Sequence, residues 1–353
     1  MLKSLLIIFL SIHSISAFNF NALFLNRREM LQLTTSLSTI PLVTEINQEK
    51  PICVIGANGE TGKECIKLLT EQNKKVKAVS KKPIDINYLS DNSKKLVECY
   101  KTDLRATSQI PEIVKDSSAL IFLANAKKKY RYIKSDIEEF QNYEDIDVLA
   151  LKNIATECIK QNVGRMVYIS GACRACNENP ALDIDKICGI ECENCRSKQM
   201  GENIIRKLYN TIDKTNVDYT IVRIGYLFNG ENRGAPSLEL NQDYTKSGMI
   251  SRTDLANVCI SSIYNKNTAR ATFEAYYRDT TQPYDVKDSL QKCTNLGKSV
   301  EECFFGSEYK DKKPTNMEEV RKKPVKGSLF TTGNEYQGND WNELYKYVKK
   351  DKF

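Results

Sequence analysis

Three sets of residues in this 353-residue chain have the types and spacing to do chemistry. The first is Gly56, Gly59 and Gly62, glycines at steps of three directly after the apolar run from Pro51 to Ile55. Glycines at such a turn let backbone approach a pyrophosphate, and the free N–H groups of a following helix face its charge. Asn58, Glu60 and Thr61 complete that loop. The second set is Ser80, Lys81 and Lys82, at the end of the run from Lys75. An acid in that place would accept from a ribose 2′-hydroxyl, whereas a hydroxyl and two cations suit a 2′-phosphate. NADP(H) is therefore expected over NAD(H). The third set is cysteine: Cys173-x-x-Cys176 and Cys192-x-x-Cys195, fifteen residues apart, with Cys188 between them. That is zinc-ribbon spacing. The same thiols would pair as disulfides in an oxidising compartment, work as a thiol switch, or hold an iron–sulfur cluster. Cys293 and Cys303 form a further potential pair.

Several chemistries are excluded or disfavoured by residue type. The glycine loop is not a Walker loop, because Ala57 stands at the first glycine position and Glu64 where Ser or Thr would hold magnesium. The one histidine is His13, so a chain processed beyond it has no imidazole for Ser-His-Asp or Cys-His catalysis or for a metal. The net charge of +7 comes from dispersed lysines, without a dense basic block, which argues against nucleic acid as a partner.

The elements that must position these residues alternate in type. Runs at 51–55, 75–80, 96–100, 119–124, 165–170, 218–225 and 271–275 read as strands. Segments 60–69, 146–161, 198–208 and one opening at Met249 read as helices from their apolar spacing. Strands alternating with helices imply a Rossmann-type, doubly wound α/β sheet covered on both faces. Cys53, Cys65, Cys158 and Cys259 fall on apolar faces and are expected in the core. The segment 127–144 is highly charged and expected at the surface.

Residues 1–17 have the charged start, apolar middle and small-residue end of a signal peptide. Residues 18–48 contain Arg27, Arg28 and many hydroxyl residues, a transit-like composition. The junction at Ala17-Phe18 resembles the two-part leaders of complex algal plastids. The expected location is a plastid, the stroma ahead of the thylakoid lumen, with secretion as the alternative. No later run is long enough for a stable membrane span. The folded domain is expected over 49–276, with the cysteine insert at 172–196. A polar C-terminal extension, 277–353, is expected to be rich in loops, with an apolar helical face at Trp341, Leu344, Tyr345 and Val348 that docks on the domain.

Gly56-Ala-Asn-Gly-Glu-Thr-Gly62, Tyr168-Ile-Ser-Gly-Ala172, Lys198-x-x-x-Glu202, Asp218-Tyr-Thr-Ile-Val-Arg-Ile-Gly225 and Ile250-Ser-Arg-Thr-Asp-Leu-Ala256 occur in order. Together they resemble the atypical short-chain dehydrogenase/reductases, and within them the NmrA-like subgroup that includes plastid NADP-binding proteins. The likeness spans about Lys50 to Ala275. It implies that Asp103 and Leu104 reach the adenosine, that Ala124 and Asn125 line the cofactor groove, and that Ser170 and Lys198 stand at the family's serine and lysine positions. Lys198 is then expected to hold the nicotinamide ribose. Active members pair that lysine with a tyrosine four residues earlier, and here Asn194 occupies the place. An amide is no proton donor of that kind. The expected function is NADP(H) binding, either as a reductase with altered acid/base chemistry or as a non-catalytic redox-sensing or assembly protein. A reductase would need a substitute donor such as Tyr226 or a cysteine of the insert. The further partner, a small molecule or a plastid protein, is not specified.

Overall fold

The computed structural model describes residues 49–126, 143–172, 192–212, 216–284, 286–306 and 328–352. The expected leader and most of the cysteine insert lie outside these residues. In chain order, β1 (Ile52–Ile55) leads into α1 (Glu60–Glu71), then β2 (Val76–Ser80), α2 (Asp91–Lys94), β3 (Val97–Lys101), α3 (Ile110–Val114) and β4 (Ala119–Phe122). A π-type turn, Asp145–Ala150, runs into α4 (Leu151–Lys160), followed by β5 (Arg165–Gly171), α5 (Cys192–Asn210) and β6 (Asp218–Ile224). Four short strands come next: β7 (Tyr226–Phe228), β8 (Leu238–Asn241), β9 (Lys246–Ser247) and β10 (Met249–Ser251). They are followed by α6 (Arg252–Tyr264), β11 (Ala271–Tyr277), β12 (Gln282–Pro283), α7 (Val286–Asn295), α8 (Val300–Phe305) and α9 (Trp341–Tyr345).

Eight strands make one sheet in the order β3-β2-β1-β4-β5-β6-β11-β8. Every pairing in it is parallel except β11 with β8. The chain builds outward from β1 to β3 and then returns to lay β4 on the other side of β1. That reversal opens a crevice at the carboxyl ends of β1 and β4, where such sheets bind ligands. β1 and β4 are buried throughout, as their unbroken apolar runs require. Helices α1 and α6 cover one face of the sheet, and α4 and α5 the other. Cys53, Cys65, Cys158 and Cys259 are fully buried thiols in these two layers, as their positions imply.

The sequence expectation fails at Met249. Residues Met249–Ser251 are a strand that pairs in parallel with β7, not the start of a helix. The helix begins at Arg252 because the Ser251 side chain accepts from the Asp254 N–H and caps it. The tail also holds more structure than its polar composition implies: α7 and α8 are joined by a Cys293–Cys303 disulfide. Leu344, Tyr345 and Val348 are buried in the same core as β11 and α6. Near the end of the described residues, Asp351 accepts from Arg206, Tyr219 and Thr272. No helix among the described residues is long and apolar enough to cross a membrane.

Candidate functional site: a groove between the glycine turn and α5

The crevice at β1 and β4 is a cavity of about 360 Å³. Its lining joins Gly56, Gly59, Glu60, Thr61 and Gly62 at one end to Ser170, Asn194 and Lys198 at the other. Leu123 and Asn125 line it after β4, and Arg252 and Leu255 face in from α6.

The glycine end is built from backbone. Gly56 has φ +94°, and a Cβ there would lie 2.9 Å from Ala124 N and Leu123 C. A Cβ on Gly62 would fall on the Gly56 carbonyl oxygen. Both glycines are thus required for the turn to close against α1 and β4. Gly59 is the N-cap of α1, and no side chain caps the helix. The first N–H groups of α1 therefore face the cavity without a protein acceptor at that cap, and with the helix dipole they contribute about 1 kcal/mol toward a bound anion.

The turn is tied to the loop after β2. Asn58 Nδ2 donates to Ser80 Oγ at 3.0 Å and to the Lys82 and Pro83 carbonyls at 3.2 and 2.9 Å. One side chain thus fixes the glycine loop relative to Ser80, Lys81 and Lys82. Asp103 is held by Arg105 at 2.7 Å and approached by Lys81 at 3.5 Å. Chiefly through its hydrogen bond to Arg105, the Asp103 carboxyl is pulled down to about 2. Two cations, Lys81 and Arg105, therefore meet the Asp103 carboxylate beside the end of β2. Arg105 was not singled out from the sequence, because its role depends on β3 lying beside β2. Leu104 is buried. Ala124 contributes backbone beside Gly56.

The other end is built from side chains carried on β5 and α5. Lys198 Nζ bonds Asp147 Oδ1 at 2.8 Å, and its side chain is 11% exposed. Ser170 lies on the same face of β5 as Tyr168, over whose ring the Lys198 ammonium sits at 5.4 Å. Asn194 lines the cavity, and its Oδ1 is buried without a partner among the described residues. Glu202, one turn beyond Lys198, accepts from two guanidinium nitrogens of Arg223 at 3.0 and 2.7 Å, and the third donates to Glu274 at 2.9 Å. Burial pushes the Glu274 carboxyl up to about 7 despite Arg223. Glu202 and Arg223, both within the resembling motifs, thus form a buried ionic layer that locks α5 to β6 and β11.

Among the described residues, neither Tyr226 nor Cys195 offers the cavity a substitute proton donor. Tyr226 is 63% exposed and outside its lining. Cys195 lines the cavity but is disulfide-bonded, so it has no thiolate or thiol to offer. The same fact removes Cys195 from a zinc site. Cys173, Cys176 and Cys188 lie outside the described residues, as does the Cys192 side chain. Among the described residues no cluster of three or more His, Cys, Asp or Glu could hold a metal ion.

Fold, glycine turn and groove define a dinucleotide-binding protein of the Rossmann class. Residues 56–266 match the family described as NAD(P)H-binding, and the chain belongs to that family. It is 24% identical over 246 residues to the uncharacterized chloroplastic protein At2g34460 of Arabidopsis thaliana, covering 68% of this chain and 81% of that one. Among solved structures, the oxidoreductase YlbE from Lactococcus lactis is 16% identical with a TM-score of 0.48, covering 64% of this chain and 90% of that one. ChuY, an anaerobillin reductase from Escherichia coli O157:H7, is 19% identical with a TM-score of 0.45, covering 64% and 97%. WbmH from Bordetella bronchiseptica, in complex with NAD+, is 15% identical with a TM-score of 0.44, covering 70% and 83%.

Proposed function

We propose that this chain is an NADP(H)-binding protein of a plastid, with the dinucleotide lying along the groove from Lys81 to Lys198. The observation that carries the reading is the uncapped N-terminus of α1, opening through glycines into the same cavity as Lys198. Gly56, Gly59 and Gly62 would take the pyrophosphate, Ser80, Lys81, Lys82 and Arg105 the 2′-phosphate, and Asn125 and Lys198 the nicotinamide half. Bound there, the cofactor supplies a hydride. The plastid location draws support from the chloroplastic relative and from the composition of residues 1–48.

For catalysis the groove favours a reaction that needs no protein phenol. The polar side chains at its inner end are Ser170, Asn194 and Lys198. None is a phenol or an imidazole. We therefore assign hydride transfer, if the chain performs it, to an acceptor that takes its proton from water. A non-catalytic, redox-sensing role is the second reading, and Asn194 in the tyrosine's place favours it. The two separate on NADPH consumption by the full chain with an electron-poor acceptor such as a quinone. Turnover that survives in Asn194→Ala but is lost in Gly62→Val supports the first reading. Binding of NADPH with no consumption supports the second.

A further inference from the structure

Asp147 lies on the π-type turn before α4, an irregular winding that recurs where helices carry functional side chains. It is fully buried, and its Oδ2 meets no hydrogen-bond partner among the described residues. Its Oδ1 bonds Lys198 Nζ across 51 residues of sequence. Gly201 is what lets α5 approach this turn. A Cβ there would fall on the Asp147 carbonyl oxygen and lie 2.7 Å from Leu151 Cδ2. The pair is thus built by three local features: a π-turn, a buried acid and a helix glycine.

We propose that Asp147 is a positioning residue for the cofactor groove, holding Lys198 as an ammonium with an N–H left for the ribose hydroxyls of the bound dinucleotide. The inference rests on the cofactor reading above. An ammonium has three N–H donors. One goes to Asp147, and the Ile169 carbonyl lies at 3.5 Å, the limit of a weak bond. A third remains on the side of the cavity that Lys198 lines.

The other groups around Lys198 do not replace Asp147. On β5, the Tyr168 phenol is pushed far up by burial and stays neutral, and Ser170 carries no charge. On α5, Asn194 is neutral, and Glu202 is already bonded by Arg223 and Arg206. On β6, Arg223 is a cation engaged with Glu202 and Glu274. Burial pushes the Asp147 carboxyl up, and Lys198 pulls it back. Without the Asp147 charge, the ammonium would be buried with no counter-ion, and desolvation would favour the neutral amine.

The test is NADPH binding by the full chain, followed by cofactor fluorescence from pH 6 to pH 9. The wild type should bind with nearly constant affinity. Asp147→Asn should bind within about threefold of wild type at pH 6 and weaken about tenfold further by pH 9, as Lys198 loses its proton. Lys198→Met should bind weakly with no such pH dependence. Asp147→Asn with the wild-type pH profile, or Lys198→Met with wild-type affinity, would overturn the inference while leaving cofactor binding intact. A wild-type chain that binds no NADPH would overturn the cofactor reading itself, and this inference with it. If Asp147→Asn does not fold, the wild type still decides. The Nζ resonance of 15N-labelled lysine that is lost in Lys198→Arg should move on NADPH addition, and an unmoved resonance contradicts the proposal.

Discussion

The two ends of the groove are made in opposite ways. The glycine end uses backbone from residues close in sequence: β1, Gly56 to Gly62 and the first turn of α1. The inner end uses side chains from distant segments, with Asp147, Ser170, Lys198 and Arg223 brought together only by the sheet and α5. The first can be altered by adding a single carbon atom. The second is held by buried charged pairs, so single changes there should act through charge and pH rather than through shape.

The largest effect should come from Gly62→Val. Its side chain must displace the Gly56 carbonyl, so the turn cannot close on α1. NADPH affinity should fall by more than about 100-fold, with the melting temperature showing whether the fold persists. Near-normal binding would mean that the dinucleotide does not use this turn. Next, the double change Lys81→Ala, Lys82→Ala should reduce the preference for NADPH over NADH by about tenfold, since a charge-assisted contact is worth roughly 1.5–3 kcal/mol. NADH affinity should hardly move, and a parallel loss of both would show a general rather than a 2′-phosphate effect.

Asn58→Ala should be milder. It frees the loop after β2 without removing a charge, so the NADPH preference should drop by about threefold, roughly the worth of one net hydrogen bond. An unchanged ratio from paired titrations would detach Asn58 from cofactor choice.

At the inner end, Glu274 gives a pH signature. Its carboxyl rises from the ordinary 4.5 to about 7 in the folded chain. Folding therefore retains a proton there, and the stability from this group is present below about 4.5 and lost as pH rises through 7. Glu274→Gln does not titrate. Between pH 5 and pH 8 the wild type should lose about 3 °C of melting temperature relative to the variant. Parallel curves would show that Glu274 is ionised throughout.

How much of this was legible in the sequence follows the same division. β1, the glycine turn and α1 are contiguous, so apolar run, spacing and helix period reveal them together. The core thiols and the Cys293–Cys303 pair were also readable from position. β8 was not among the expected strands: Leu238-Glu-Leu-Asn241 carries two polar residues, yet Glu239 and Asn241 are fully buried, Glu239 accepting from Lys246 and Tyr276 and the Asn241 side-chain oxygen accepting from Thr245. Asp147 was missed for a related reason. An acid inside an amphipathic helix pattern looks like a solvent-facing residue until its lysine, far along the chain, is folded onto it. Arg105 likewise acquires meaning only beside Lys81. Chemistry carried by a turn can be read in order, whereas chemistry carried by buried pairs cannot.

The central claim is that the groove holds NADP(H), and calorimetric titration of the full chain with NADPH and then NADH tests it most directly. The account predicts about one site per chain, with NADPH bound about tenfold or more tightly than NADH. Equal affinities would contradict the 2′-phosphate assignment of Ser80, Lys81, Lys82 and Arg105, and no heat or saturation with either cofactor would contradict the claim as a whole.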